Sequence, residues 1–105
     1  MEERMFENLK IKTALLGFGA MRLPLDEKGG IDKAEAEKML DLAYEKGVTY
    51  YDTAYTYHGG ESEPFLGAYL KKYQRSTYQL ATKLPQWLVN SLDDAKRGTA
   101  CKAWP

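Results

Sequence analysis

Three residues of this sequence have types and spacing that could do chemistry: an aspartate, a tyrosine and a lysine. Asp52 and Tyr57 lie five residues apart in TYYDTAYTYHGGESEPFLG, and Lys83 follows in ATKLP. A carboxylate beside an ammonium forms an ion pair, and an ammonium near a phenol stabilises phenolate and lowers the tyrosine pKa. If the three side chains converge, Tyr57 becomes a proton donor suited to general acid catalysis.

Two neighbours of Tyr57 are alternative candidates for the same role. Tyr55 is also a phenol close to Asp52, so physical reasoning alone leaves the choice between Tyr55 and Tyr57 open. His58 is the single histidine and could act as an acid. Because a loop histidine beside two glycines is more often solvated, we expect His58 to be a solvated loop residue.

Composition disfavours several other classes of function. Fifteen basic residues balance fifteen acidic ones without a block of like charge, which argues against nucleic-acid and anionic-membrane partners. The amino terminus, MEERMFENLK, has neither the pattern of an export signal nor that of a membrane span. Cys101 has no cysteine or histidine companions, so it predicts an incidental thiol rather than a disulfide, a metal site or a nucleophile. Together these features predict a cytoplasmic protein.

Apolar runs and capping residues predict the elements that position the candidate residues. Short runs rich in apolar, β-branched or aromatic residues predict strands at 13–20, 48–52 and 77–83. Asp32, three residues before Glu35, predicts a capped helix that stops at Gly47. Ser62 predicts the capped start of a second helix and Ser91 that of a third.

The alternation of strands and helices predicts βαβ units around a parallel sheet. Asp52 ends the second predicted strand and Lys83 ends the third, 31 residues later, and Met21 lies 31 residues before Asp52. Neighbouring parallel strands bring their carboxyl ends to one edge of the sheet, so we expect an Asp52–Lys83 pair there. Equal short steps favour a barrel over a doubly wound sheet, although three units do not decide between them.

The motifs around these residues resemble those of the aldo-keto reductase family. DTAYTY at 52–57, followed by GESE at 60–63, resembles the family motif in which DTA is followed by the catalytic tyrosine and then by Ser-Glu at the next helix. LGFGAMR at 16–22 and ATKLP at 81–85 resemble the family's first and third strands. The resemblance runs from about residue 14 to residue 97, and three motifs in the right order make it specific.

The resemblance implies a partial (β/α)₈ TIM barrel of about three βα units. It also implies an oxidoreductase that transfers hydride from NADPH or NADH, usually NADPH, to an aldehyde or ketone. In that scheme Tyr57 protonates the carbonyl oxygen, Lys83 lowers the pKa of Tyr57, and Asp52 orients Lys83. The remaining implied contacts are the cofactor contacts of Gly19, Ala20, Met21 and Asp52 and the carbonyl-pocket contact of Trp87, for which a loop aromatic packed on a helix is the alternative.

The chain is also expected to carry only part of such a site. Another step of about thirty residues, the length of one βα unit, would place the family's catalytic histidine beyond Pro105. We therefore expect residues 1–97 to be the amino-terminal part of a barrel, residues 98–105 to be an irregular tail left by truncation or a frameshift, and the chain alone to be inactive. Exposed sheet edges predict self-association. The alternative is a non-catalytic product or an interaction module that uses a sheet edge.

Overall fold

The computed structural model describes residues 1–86, which begin with an antiparallel hairpin. Strand β1 (Glu3–Phe6) pairs with strand β2 (Ile11–Ala14). The backbone N–H of Ala14 donates to the hydroxyl of Thr49 over 3.2 Å, which attaches the hairpin to the chain just before the central strand of the sheet. The hairpin is therefore held against the amino-terminal end of that strand, opposite to the end at which Asp52 lies.

The predicted strand at 13–20 is divided between two strands. Residues 13 and 14 complete β2, the chain bends at Leu15 and Leu16, and strand β3 is confined to Phe18–Gly19. A Cβ on Gly17 would lie 3.5 Å from the ring and the carbonyl of Tyr50, so the backbone passes close to β4 there. An apolar run without alternation carries no signal for such a break.

Three short parallel strands form the second sheet. Strand β4 (Tyr50–Asp52) lies between β3 and strand β5 (Gln79–Ala81). Residue Gly19 is in register with Asp52, and Asp52 with Ala81. The parallel order β3-β4-β5 confirms the predicted alternation, with strands shorter than the apolar runs that predicted them.

Helix α1 (Lys33–Glu45) connects β3 to β4. The carboxylate of Asp32 accepts a hydrogen bond from the N–H of Glu35 over 3.2 Å, as the capping pattern predicts. Gly47 follows the last turn with a φ of 97°, a conformation that favours glycine. Both ends of this helix are therefore confirmed.

Helix α2 (Ser62–Leu70) connects β4 to β5, and it begins without the predicted cap. Glu61 is the N-cap residue and its side chain makes no capping bond, while Ser62 is fully buried inside the first turn. The prediction of a Ser62 cap was therefore wrong, because this hydroxyl bonds across the core instead. Two 3₁₀ turns, Tyr57–Gly60 and Arg75–Thr77, flank the helix.

The core lies between the parallel sheet and the two helices, and Tyr51 of β4 is at its centre. The ring of Tyr51 lies 6.1 Å from that of Phe18 and 6.4 Å from that of Tyr78, measured between centroids. Its hydroxyl donates to the carbonyl of Val48 over 3.1 Å, and burial raises the pKa of Tyr51 to about 12. In residues 1–86, no helix is long and apolar enough to cross a membrane.

A polar cluster ties α1 to the end of α2. The carboxylate of Asp41 accepts hydrogen bonds from the hydroxyls of Tyr69 and Tyr73 and from the ammonium of Lys72. The bonds from Lys72 and Tyr69 lower the pKa of Asp41, against a smaller opposing effect of desolvation. The same cluster raises the pKa of Lys72, chiefly through its bond to Asp41.

We expect the Asp41 cluster to make the fold more sensitive to acid. Folding lowers the pKa of Asp41 below its ordinary value of 3.8. The contribution of Asp41 to the free energy of unfolding is therefore present above pH 3.8 and is lost as pH falls through its lower pKa in the folded state. Urea unfolding from neutral pH down to about pH 2 should therefore show a shallower acid loss for Asp41→Asn than for the wild type. Glu37→Gln, an exposed carboxylate on the same helix, is the matched control. Identical slopes for the wild type and Asp41→Asn would contradict the expectation.

Candidate active site

The predicted ion pair lies at the carboxyl ends of β4 and β5. The Nζ of Lys83 donates to Oδ2 of Asp52 over 2.9 Å, and both side chains remain about half exposed. A second bond from the same Nζ reaches the carbonyl of Thr53 over 3.0 Å. The spacing argument therefore identified two residues that the structure brings together.

Backbone hydrogen bonds hold the two residues in place beyond the ends of the strands. The N–H of Thr53 donates to the carbonyl of Ala81 over 2.8 Å, and the N–H of Tyr55 donates to the carbonyl of Lys83 over 2.9 Å. Asp52 and Lys83 thus lie on two chain segments that remain paired past β4 and β5. The position of the ammonium is set by the backbone as well as by the carboxylate.

Tyr57 lies beside this pair. The Nζ of Lys83 is 4.8 Å from the centroid of the Tyr57 ring. Burial by itself lowers the pKa of Lys83, but its hydrogen bond to Asp52 and its interaction with the Tyr57 side chain outweigh that effect, so the pKa lies above its ordinary value. Lys83 is therefore positively charged at neutral pH and in contact with both predicted partners.

Tyr57 begins the 3₁₀ turn that also contains His58, and this histidine departs from expectation. His58 is half-buried, and its Nε2 accepts a hydrogen bond from the N–H of Leu23 over 3.0 Å. The expectation of a solvated side chain was wrong, because the turn brings the imidazole against the segment that follows β3. His58 has a φ of 55°, in the left-handed region.

Four buried or half-buried polar side chains near the pair make contacts that were not predicted from the sequence. The hydroxyls of Thr53 and Ser62 lie 2.7 Å apart, and Glu63, which is 1% exposed, accepts from the hydroxyl of Thr82 over 2.6 Å. Thr53 follows Asp52 and Thr82 precedes Lys83, so the start of α2 is bonded to both strand ends. One signal was available: Glu63 lies three residues before Leu66 and seven before Leu70, on the buried face of the helix.

We expect the Thr53 and Ser62 hydroxyls to stabilise the fold as a coupled pair. Ser62→Ala leaves the Thr53 hydroxyl buried without this partner, so its free energy of unfolding should fall by about 1–3 kcal/mol. Thr53→Val should cost a similar amount. Because the double variant removes both polar groups, we expect it to lose less than the sum of the single losses. Urea unfolding of the wild type, the two single variants and the double variant gives a double-mutant cycle. Strictly additive losses in the free energy of unfolding would contradict the coupling.

The residues predicted to contact a cofactor lie at the same edge of the sheet. Ala20 is fully buried and donates its N–H to the carbonyl of Asp52 over 2.9 Å, while the side chain of Met21 is 56% exposed. A Cβ on Gly19 would find no atom within 4 Å, so open space adjoins its backbone. This edge of the sheet is therefore open beside Gly19 and Met21, so the residues present leave room for a cofactor ring there.

Four further predictions fall on residues that the structure does not describe. They concern the carbonyl-pocket role of Trp87, the third helix from Ser91, the thiol of Cys101 and the division of the chain at residue 97. Within residues 1–86, no group of three His, Cys, Asp or Glu side chains is placed to hold a metal ion.

Curated proteins that are similar to this chain include two aldo-keto reductases. An aldo-keto reductase of Gibberella moniliformis is 38% identical over 68 residues, which are 65% of this chain and 20% of the relative. A probable aldo-keto reductase 1 of Glycine max is 38% identical over 78 residues, which are 69% of this chain and 21% of the relative. The chain therefore spans about a fifth of the length of these curated relatives.

Solved structures show the same architecture. The thermostable aldo-keto reductase Tm1743, solved with the inhibitor epalrestat, matches 93% of this chain and 38% of its own at a TM-score of 0.67 and 24% identity. The holo form of AKR11C1 from Bacillus halodurans matches 93% of this chain and 36% of its own at a TM-score of 0.66 and 27% identity. The sheet and helices are thus part of a TIM-barrel α/β fold. Since the profile described as the aldo/keto reductase family matches residues 15–103, this chain belongs to the aldo/keto reductase family.

Proposed function

We propose that this chain supplies the proton-donating part of an oxidoreductase site that reduces an aldehyde or ketone with NADPH. One observation carries the proposal: Lys83 is bonded to Asp52 and lies 4.8 Å from the ring centroid of Tyr57, at the carboxyl ends of adjacent parallel strands. That edge is where the active sites of such barrels are built. Family membership supports the reaction class, with the cofactor proposed as NADPH rather than NADH.

Each residue has a defined part in the proposed reaction. Tyr57 donates its phenolic proton to the carbonyl oxygen as negative charge develops there. Lys83 holds a positive charge next to the phenol, which favours release of that proton. Asp52 and the carbonyl of Thr53 keep the ammonium at this position. When bound, the reduced nicotinamide supplies the hydride.

We propose that the nicotinamide contacts Gly19, Ala20, Met21 and Asp52. The open space beside Gly19 and the exposed side chain of Met21 support this placement. Trp87 is proposed to line the carbonyl pocket by resemblance to the family. We also propose a reducing, cytoplasmic location, as the composition of the chain indicates.

The proposal is tested by following NADPH absorbance with an added aldehyde. Two proteins are compared: the 105-residue chain, and a fusion in which this chain replaces the corresponding amino-terminal segment of Tm1743. We expect turnover in the fusion and none in the chain alone, because the chain spans only about a fifth of the length of its curated relatives. A folded fusion that binds NADPH but does not reduce the aldehyde would contradict the proposal.

A second candidate is a non-catalytic interaction module. Within residues 1–86 the outer edges of β3 and β5 have no strand partner, and unpaired edges favour pairing with another chain. Here the proposed partner is a second copy of this chain. Sedimentation of the purified chain over a range of concentrations distinguishes the candidates: a dimer that excludes NADPH favours the module, and a monomer argues against it.

A further inference from the structure

His58 lies next to Tyr57 and has no role in the proposed reaction. Its Nε2 accepts the N–H of Leu23 over 3.0 Å, so a single imidazole joins the turn containing Tyr57 to the segment after β3. To accept this hydrogen bond, the Nε2 atom of His58 must be free of a proton.

Leu23 provides a fixed point for this bond. Its side chain is buried in the core, and the next residue, Pro24, accepts the N–H of Asp32 at the start of α1 over 2.8 Å. The segment is thus packed against the core and bonded to a helix. Met21, two residues before Leu23, belongs to the set proposed to contact the nicotinamide.

Apart from the contact of Tyr57 with Lys83, the backbone bonds that the structure shows for the turn are local. Its backbone bonds, from Tyr57 N–H to the Ala54 carbonyl and from Glu61 N–H to the His58 carbonyl, are local to residues 54–61. His58 and Gly59 both have left-handed backbone angles, with φ values of 55° and 62°. A histidine held at positive φ indicates that tertiary contacts determine its conformation.

We propose that His58 is a positioning residue that sets the distance between the Tyr57 phenol and the segment that follows β3, and so aligns the proton donor with the hydride source. The alignment matters because the hydride must reach the carbon and the proton must reach the oxygen of the same carbonyl group. The alignment with a hydride source rests on the proposed function. The hydrogen bond between His58 and Leu23, and its effect on the position of Tyr57, do not depend on that function.

Two substitutions separate the effect of side-chain length at position 58 from the effect of backbone conformation there. His58→Gln places a side-chain oxygen near the position of Nε2 and keeps the acceptor, whereas His58→Asn accepts a left-handed backbone well but is too short. In the 105-residue chain, we expect amide exchange of Leu23 to be at least about tenfold faster in His58→Asn than in the wild type. We also expect the nuclear Overhauser effect between the Tyr57 ring and the Lys83 side chain to weaken in His58→Asn and to be retained in His58→Gln.

In the fusion with Tm1743, kcat should fall by about ten- to a hundredfold in His58→Asn while KM for the aldehyde changes little, and His58→Gln should recover most of the loss. A merely structural role would lower the melting temperature and leave the Tyr57–Lys83 contact of the folded protein unchanged. If the fusion shows no turnover even with His58 intact, the proposed function fails, and the exchange and Overhauser measurements still decide the positioning role.

Three results would overturn the inference. The first is a protonated Nε2 on His58 in the ¹⁵N spectrum of the wild-type chain, a measurement that needs no substitution. The second is unchanged Leu23 exchange, or an unchanged Tyr57–Lys83 contact, in folded His58→Asn. The third is a His58→Gln protein that behaves like His58→Asn in every measurement.

Discussion

Tyr57→Phe is expected to reduce aldehyde turnover by the Tm1743 fusion by about 10²- to 10⁴-fold, the usual contribution of a positioned general acid. The substitution removes the hydroxyl that donates the proton and leaves the ring beside Lys83, 4.8 Å from its ammonium. NADPH binding and the free energy of unfolding should change little, so the loss should appear in kcat. Stopped-flow measurement of NADPH oxidation separates the chemical step from binding.

Tyr55→Phe is the matched control for this experiment. Tyr55 lies two residues before Tyr57, and its backbone N–H is bonded to the carbonyl of Lys83. The Lys83 ammonium lies over the ring of Tyr57, so we expect Tyr55→Phe to retain turnover within a few-fold of the wild type. Equal losses in the two variants would remove the assignment of Tyr57, and a loss only in Tyr55→Phe would transfer the role to Tyr55.

Tyr51→Ala is expected to lower the free energy of unfolding by about 3–5 kcal/mol, as for other large aromatic residues removed from a core. The ring is fully buried between Phe18 and Tyr78, and β4 is the central strand, so the cavity would lie where all three strands meet the helices. Because small domains are stable by only about 5–15 kcal/mol, this substitution would remove a large share of the stability of the fold. Urea unfolding followed by circular dichroism measures the change.

Tyr51→Phe separates packing from hydrogen bonding at the same position. It keeps the ring and removes only the hydroxyl that donates to the carbonyl of Val48. We expect a loss of about 1 kcal/mol for the missing hydrogen bond. If Tyr51→Ala cost no more than Tyr51→Phe, the aromatic contacts described for the core would not be stabilising it.

The ion pair could be predicted from the sequence because it depends on periodic features. Strand and helix alternate at a constant step, so two charged residues separated by 31 positions fall at equivalent ends of neighbouring strands. The capping residues of α1 are similarly local, since Asp32 and Glu35 interact within one turn. Helix caps and the periodicity of strands and helices can be predicted from the sequence because residues close together along the chain determine them.

The features that were missed depend on contacts between distant segments. Ser62 reads as a cap in the sequence, but its hydroxyl meets Thr53 only after α2 has docked on β4. The bond from Leu23 to His58 joins residues 35 positions apart and has no periodic signal. The β1–β2 hairpin was missed because Lys10 takes the positive φ of 54° in its turn, where a glycine or asparagine would be the usual signal.

The attachment of Lys83 to Asp52 and Thr53 also has a consequence for the order of folding. The two hydrogen bonds that the structure shows for the Lys83 ammonium lie within one βαβ unit, β4-α2-β5, and they join residues about thirty positions apart. Closing a loop of this length costs only slightly more entropy than closing a shorter one, and it does not require the hairpin or α1 to be in place. We infer that the charged pair can assemble early, in the same kinetic phase as the pairing of β4 with β5. The donor turn at Tyr57 would then be fixed later, when the chain after β3 docks and offers Leu23 to His58.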